Sequence, residues 1–284
     1  MYESHWQLDR RPFENCSDAR WYYPGESHQG AMLKLRYAVE NRRGAALLCG
    51  PSGSGKTLLI GQLRRHLAAQ FRPFVHLVFP QMPAEDLLAF LADELSAQPS
   101  GSSPGGAPTV PRGGSRNLDS TIRRLQSSLA HNAAEDQHAV IVIDEAHLLD
   151  SSRAWEALRL LLNFENDSQP NLTLLLAGQP ALLAQLDRNP VMEERLAVKC
   201  LLRPFTLDET AAYVNFRLQA AGAKGQIFEP AALETLHELT HGLARQINRL
   251  CDLALLVAFA EERKSIGAEQ LEAVALELVT VAPE

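Results

Sequence analysis

The chain has 284 residues, enough for one large domain or two modest ones. Hydrophobic residues make up 46% of it, so a sizeable core is within reach and global disorder is excluded. A formal net charge of −7 excludes a protein coated in basic surface for nucleic acid, although not a local basic patch.

The first residues, Met1 to Trp6, carry neither the basic start nor the apolar run of a signal peptide. The longest apolar stretch, residues 253–260, is too short for a hydrocarbon core of about 30 Å. Four cysteines (Cys16, Cys49, Cys200 and Cys251) lie far apart and read as free thiols in a reducing compartment. A cytoplasmic protein is expected. Aromatics and prolines are dense in Arg11-Pro12-Phe13 and Trp21-Tyr22-Tyr23-Pro24, which implies an ordered lead-in. Such a lead-in either flanks a nucleotide base or simply packs into a core. Residues 30–41 then read as a helix, with Leu33, Tyr37 and Glu40 a helical turn apart.

Next comes an apolar run, residues 46–49, that enters Gly50-Pro51-Ser52-Gly53-Ser54-Gly55-Lys56-Thr57-Leu58 and leaves as a helix. Gly50, Gly53 and Gly55 lack a Cβ, so the loop can curl and turn its N–H groups onto an anion. Lys56 is spaced to reach β- and γ-phosphates, Thr57 offers a hydroxyl to Mg²⁺, and the helix dipole points at the same place. This strand–loop–helix context is what the motif requires, so nucleoside triphosphate binding is expected.

Residues 74–79 read as a second strand and residues 84–97 as a helix. The Pro-, Gly- and Ser-rich stretch at 99–116 cannot build a core and reads as a flexible, tolerated insertion. Residues 118–133 return to helix, with Ile122, Leu125 and Leu129 on one side. The aliphatic run Ala139-Val140-Ile141-Val142-Ile143 then suits a central parallel strand, buried on both faces. It ends in Asp144 and Glu145, a pair suited to hold Mg²⁺ through its waters and to orient an attacking water. With Ala146 and His147 they spell the box of one helicase group. The chain is too short for two motor domains, and His147 reads as structural.

A leucine-rich helix over 148–164 and a buried strand over 172–178 follow, the latter ending at Gln179. Gln179 is a candidate for sensing the γ-phosphate or placing water, the alternative being a cap. Arg188 and Arg195 flank a short segment before a last strand at 198–202. From Pro204 strands stop. Thr206-Leu207-Asp208-Glu209 is a capping box opening an amphipathic helix, and three more helices follow, the second of them carrying Arg245 early. The expected division is an α/β nucleotide-binding domain over 1–204 and a helical lid over 205–284.

A P-loop, an acidic strand end, a polar strand end and a helical C-terminal portion resemble an AAA+ ATPase. More closely, the chain resembles ATPases of the general secretion pathway protein A, or ExeA, type. That likeness rests on the opening Met-Tyr and Arg-Pro-Phe, Tyr23 through His28, the P-loop, and Val142 to His147. It continues through Leu158 to Glu165 (with Leu161-Leu162-Asn163-Phe164-Glu165), Leu176 to Pro180, and Gly242 to Asn248. It spans nearly the whole sequence. The resemblance implies a parallel five-stranded sheet between helices and an ATPase that assembles into a ring or filament. It makes Gln179 the sensor 1 residue, Arg195 the arginine finger (with Arg188 as the alternative), and Arg245 the sensor 2 residue of the lid. Longer members continue into a transmembrane segment and a peptidoglycan-binding region; related short ATPases serve export or pilus systems.

The expected activity is ATP hydrolysis with Mg²⁺, driving assembly or regulation of an envelope export machine. Lys56 and Arg195 would neutralise charge, Thr57 and Asp144 hold the metal, and Glu145 orient water. A rival is a nucleotide-gated DNA-binding adaptor of the transposition-helper kind. It would need the basic pairs Arg10-Arg11, Arg64-Arg65 and Arg123-Arg124 to cluster. A scaffold with a vestigial ATPase is disfavoured by the intact Glu145.

Overall fold

A computed structural model describes residues 1–16, 18–96, 117–149, 151–166 and 169–280. The insertion expected at 99–116 lies outside these described residues. In chain order the elements begin with α1 (Glu26–Glu40), β1 (Ala45–Cys49), α2 (Lys56–His66), β2 (Phe74–Leu77), α3 (Ala84–Ser96), α4 (Leu118–Ala134) and β3 (Ala139–Ile143). They continue with α5 (Ser152–Leu161), β4 (Glu165–Asn166), β5 (Gln169–Pro170), β6 (Leu172–Gly178), α6 (Ala181–Asp187), α7 (Pro190–Glu193) and β7 (Leu196–Leu201). Four helices close the chain: α8 (Leu207–Ala220), α9 (Pro230–Thr240), α10 (Ala244–Ala260) and α11 (Ala268–Thr280).

The described chain divides into two compact units, each drawn from separated stretches. One comprises Ala31–Cys49 and Leu63–Cys200; the other comprises Met1–Gly30, Gly50–Gln62 and Leu201–Glu284.

In the first of these, the five-stranded sheet runs in the order β2-β3-β6-β1-β7. β1 pairs with β6, β3 with β6 and β2 with β3, all parallel, with Cys49 opposite Gly178 and Ile143 opposite Leu176. Every residue of β1, β3 and β6 is buried. Alternate side chains (Leu47, Ile141, Leu174 and their period-2 neighbours) meet α3, α4, α5 and α6 in one apolar core. The interleaved residues Leu48, Val140 and Leu175 are equally dry, so both faces are covered, as parallel strands require.

Several expected boundaries move. The helix at 30–41 begins earlier, at Glu26, and it buries Ala31, Leu35, Ala38 and Val39 while Leu33 and Tyr37 face outward. In α4, Leu125 and Leu129 are buried as expected, but Ile122 is exposed and Thr121 takes the inward place. The long helix expected at 148–164 is a single 3₁₀ turn followed by the ten-residue α5. The β4–β5 hairpin and α6 are additions to the reading from sequence.

The second unit is built on a helical core. Its members include Tyr2, Trp6, Phe13 and Trp21, so the aromatic lead-in packs against α8, α9, α10 and α11. Arg217 of α8 is buried there and fully engaged. Its guanidinium donates to the carbonyls of Pro12 and Glu14 and lies 4.5 Å from the Trp21 ring centre. Backbone acceptors and an aromatic face offset the cost of burying that charge. The capping box at Thr206 forms as expected, Thr206 and Glu209 each satisfying the other's backbone N–H. All four cysteines are free thiols, Cys16 exposed and the others buried. Among the described residues no helix is long and apolar enough to cross a membrane.

Two predictions follow from local packing. Gly242 has φ +70°, and a Cβ there would stand 2.1 Å from the Phe205 carbonyl oxygen. Gly242→Ala should lower the unfolding free energy by more than about 1 kcal/mol, whereas Gly30→Ala, in α1 with open space around it, should raise it by about 0.5–1 kcal/mol. Urea titration measures both.

The second concerns His138, buried just before β3, whose Nε2 lies 2.9 Å from Thr173 Oγ1. Thr173 donates to the Arg43 carbonyl, so its oxygen is left to accept from His138 Nε2–H. Burial, with Arg42 adding repulsion, pushes the imidazole down to about 4. The unfolded chain titrates near 6.5 and so binds more protons between the two values. Stability should therefore fall as pH drops from about 6.5 towards 4, by up to about 1.4 kcal/mol per pH unit. A His138→Gln variant should lack that slope in pH-dependent denaturation.

Candidate functional site

The glycine-rich loop, residues 50–58, lies in the helical unit. Gly53 and Gly55 adopt φ +77° and +90°, the left-handed region that glycine enters freely. A Cβ on Gly50 would come within 2.9 Å of both Leu202 Cβ and Ser54 Oγ. Lys56 is buried, and its Nζ donates to the carbonyls of Gly50 and Pro51 at 2.9 Å each. The loop thus folds around its own cation, and α2 starts at Lys56 with its N–H groups turned to the same end. Thr57 is exposed and Leu58 half-buried.

Two further segments hold the loop. His28, from the first turn of α1, sits buried with Nε2 2.9 Å from the Ser54 carbonyl. Burial lowers its pKa, so the ring is neutral near pH 7 and Nε2 carries the donated proton. On the other side, the Arg245 backbone N–H donates to the Gly53 carbonyl at 3.3 Å. Leu243, the residue capping α10, makes no side-chain cap, so the loop carbonyl satisfies one of the orphan donors of that helix. The Arg245 guanidinium also reaches Ser52 Oγ at 3.3 Å. Residues 50–58 and Arg245 are therefore brought together. His28 appeared in the sequence only as part of a family-like stretch.

The acidic strand end lies in the sheet unit. Asp144 is completely buried; its Oδ1 accepts from the Glu145 N–H at 2.9 Å, and Oδ2 lies 3.3 Å from His76 Nε2 on β2. Glu145 holds φ 51° and ψ 35°, a left-handed conformation uncommon for a residue with a side chain. Such backbone strain clusters at functional sites.

His147, read from sequence as structural, stands between two candidates. Its Nδ1 is 3.4 Å from Glu145 Oε2 and 3.4 Å from the Gln179 backbone nitrogen. The contacts compete: an unprotonated Nδ1 accepts from Gln179, and a protonated one donates to Glu145. Gly178 permits this approach, since a Cβ there would meet Leu182 at 2.8 Å and the His147 backbone nitrogen at 3.3 Å. Asp144, Glu145, Gln179, His76 and His147 thus form one cluster. His76 entered the reading from sequence only as a member of the strand at 74–79, and His147 only as a structural residue closing the Asp-Glu-Ala-His stretch.

Arg195 stands apart. It directly precedes β7, and its carbonyl lies 3.9 Å from the Cβ position of Gly44, the residue before β1. That is the amino-terminal end of the sheet, about 16 Å from the carboxyl end of the five-residue β1. Its guanidinium is exposed and donates to Asn163 Oδ1 at 3.0 Å. Arg188 lines an open depression with Trp155, Glu156 and Gln185.

Comparison with known proteins gives a consistent picture. A family model described as an AAA domain matches residues 39–186. General secretion pathway protein A of Aeromonas hydrophila is 34% identical over 264 residues, covering 92% of this chain and 45% of that protein. The chain thus spans less than half the length of this relative. The ORC2 protein of Aeropyrum pernix, in its ADPNP-ADP complexes, superposes with a TM-score of 0.69 at 18% identity. The match covers 97% of this chain and 73% of that one. The RuvB Holliday junction branch migration motor of Thermotoga maritima gives a TM-score of 0.57 at 18% identity, over 89% and 69% of the two chains. At such identities the likeness to both structures is one of fold.

Gly53 offers a direct test of the loop geometry. A Cβ there would stand 2.6 Å from Arg245 Cβ, on top of its positive φ. Gly53→Ala should abolish nucleotide binding and lower the melting temperature, because both the loop and the start of α10 must shift. Ser52→Ala, which removes one exposed hydrogen bond, should leave the melting temperature nearly unchanged. Calorimetry with and without nucleotide separates the two.

Proposed function

The chain belongs to the AAA domain family, and from that premise we propose that it hydrolyses ATP as a homo-oligomer and acts on components of an envelope export machine from the cytoplasmic side. The observation that carries the reading is the strand order β3-β6-β1. The carboxyl ends of these neighbouring strands run into Asp144-Glu145, Gln179 and Gly50 respectively. Open α/β sheets bind ligands beyond the carboxyl ends of their strands.

In this reading residues 50–58 hold the phosphates through backbone N–H groups, and Lys56 meets the γ-phosphate. The donor set suits Mg²⁺: Thr57, an exposed residue, carries a hydroxyl, and the Asp144 carboxylate accepts from the Glu145 N–H. Thr57 and Asp144 would hold the ion, and there it would supply positive charge against the charge that develops on the phosphates. Glu145 orients the attacking water, Gln179 reads the γ-phosphate, and Arg245 couples the nucleotide to the helices of a lid over 205–284. Residues 1–204 act as the nucleotide-binding domain. Similarity to general secretion pathway protein A supports the export role and the location.

Arg195 fits a finger that serves a neighbouring subunit. Its position at the amino ends of the strands is well beyond one side chain from the end of β1 that enters the loop, which supports action in trans. The DNA-adaptor alternative draws less support. Of the basic pairs, Arg11, Arg123 and Arg124 are engaged by Glu3, Asp119 and Asp93. Salt-sensitive binding of duplex DNA in the presence of ATP would favour that alternative.

Equilibrium binding and steady-state hydrolysis test the assignment together. Lys56→Ala should lose ATP affinity, because the phosphate charge is left without its cation. Glu145→Gln should keep ATP and hydrolyse it slowly. Arg195→Ala should bind ATP normally while losing about 10³-fold or more in rate. Mixing Arg195→Ala with Lys56→Ala should recover activity, since hybrid interfaces pair an intact loop with an intact finger. If Lys56→Ala binds ATP like wild type, its role is wrong. If the mixture stays inactive and specific activity is independent of protein concentration, the oligomeric mechanism is withdrawn.

A further inference from the structure

Surface arginines of this unit differ in what holds their charge. Arg123, Arg124 and Arg159 each pair with a carboxylate, respectively Asp119, Asp93 and Glu156. Among the described residues Arg195 has no such partner; its Nη2 donates instead to the neutral Asn163 side chain, at 3.0 Å. An amide acceptor takes one of the five guanidinium N–H donors and leaves the positive charge intact. A carboxylate would neutralise it and compete with a phosphate for the same fork of donors.

The fold explains why Asn163 stands there. Helix α5 runs ten residues, about 15 Å, and Asn163 follows two residues after its last turn. The next residue, Phe164, accepts from the Asn171 backbone N–H immediately before β6. Asn163 is thereby pinned at the amino end of the sheet, where Arg195 enters β7.

We propose that Asn163 is a positioning residue for Arg195, holding an uncompensated guanidinium extended for the nucleotide of a neighbouring subunit. The proposal rests on the reading of Arg195 as a finger acting in trans. Both side chains are exposed, so in an isolated subunit the bond contributes little to stability. Its effect lies in orientation, where a displacement of about 1 Å can cost 10²-fold in rate.

The test uses the full chain. Asn163→Ala should lower kcat about 10- to 100-fold with ATP affinity and melting temperature unchanged. Asn163→Asp should lose at least as much, because the new carboxylate captures the guanidinium. In an Arg195→Ala background, Asn163→Ala should cost nothing further. Mixing Asn163→Ala with Glu145→Gln, which has a dead site of its own but an intact Asn163–Arg195 pair, should recover activity; a defect confined to the mutated subunit's own site would not respond. Full kcat in Asn163→Ala overturns the proposal, as does an additive loss in the Arg195→Ala background. A mixture that stays inactive while Arg195→Ala plus Glu145→Gln recovers also overturns it and leaves the finger standing. If that control mixture is inactive too, the finger reading itself has failed, and the role of Asn163 with it.

Discussion

A parallel sheet sealed on both faces leaves nowhere inside for chemistry. All five residues of β1, all five of β3 and all seven of β6 are buried, and a polar side chain among them must find a partner, as Thr173 does with His138. Polar and charged groups can collect only where the strands stop. Because the strands run the same way, their carboxyl ends stop together. The buried Asp144 carboxylate and the Gln179 strand end are therefore brought near each other by the same constraint that makes the core.

What happens at those ends is governed by contacts too close for ordinary side chains. Gly178 lets the turn carrying His147 approach β6, and the left-handed backbone at Glu145 turns the chain sharply after a buried aspartate. His76 and His147 then lie against Asp144 and Glu145. The acidic residues are not free carboxylates at a solvated strand end. They are held in a small polar web with His76 and His147. In the helical unit, the start of α10 and the buried His28 restrain the glycine-rich loop from two sides. The loop's shape is thus tied to helix packing as well as to its glycines.

The same directionality separates Arg195 from the other candidates. A residue preceding a parallel strand lies at the amino end and one following it at the carboxyl end, so the two cannot share one sheet edge.

Much of this was legible in the amino-acid order, because it depends on short-range rules. Glycine spacing marks the tight loop before α2, and unbroken aliphatic runs mark strands buried on both faces. Thr206 with Glu209 marks a helix start, and the five-stranded parallel sheet with a helical C-terminal portion follows from these. The sequence could not decide which side of α1 or α4 turns inward, since Leu33, Tyr37 and Ile122 are as apolar as the residues that do. Nor could it pair His76 with Asp144, His28 with Ser54, or Asn163 with Arg195. Those partners are 68, 26 and 32 residues apart, and no local periodicity connects them. Only the tertiary structure, through strand order and register in the sheet unit and helix packing in the other, determines which polar groups meet.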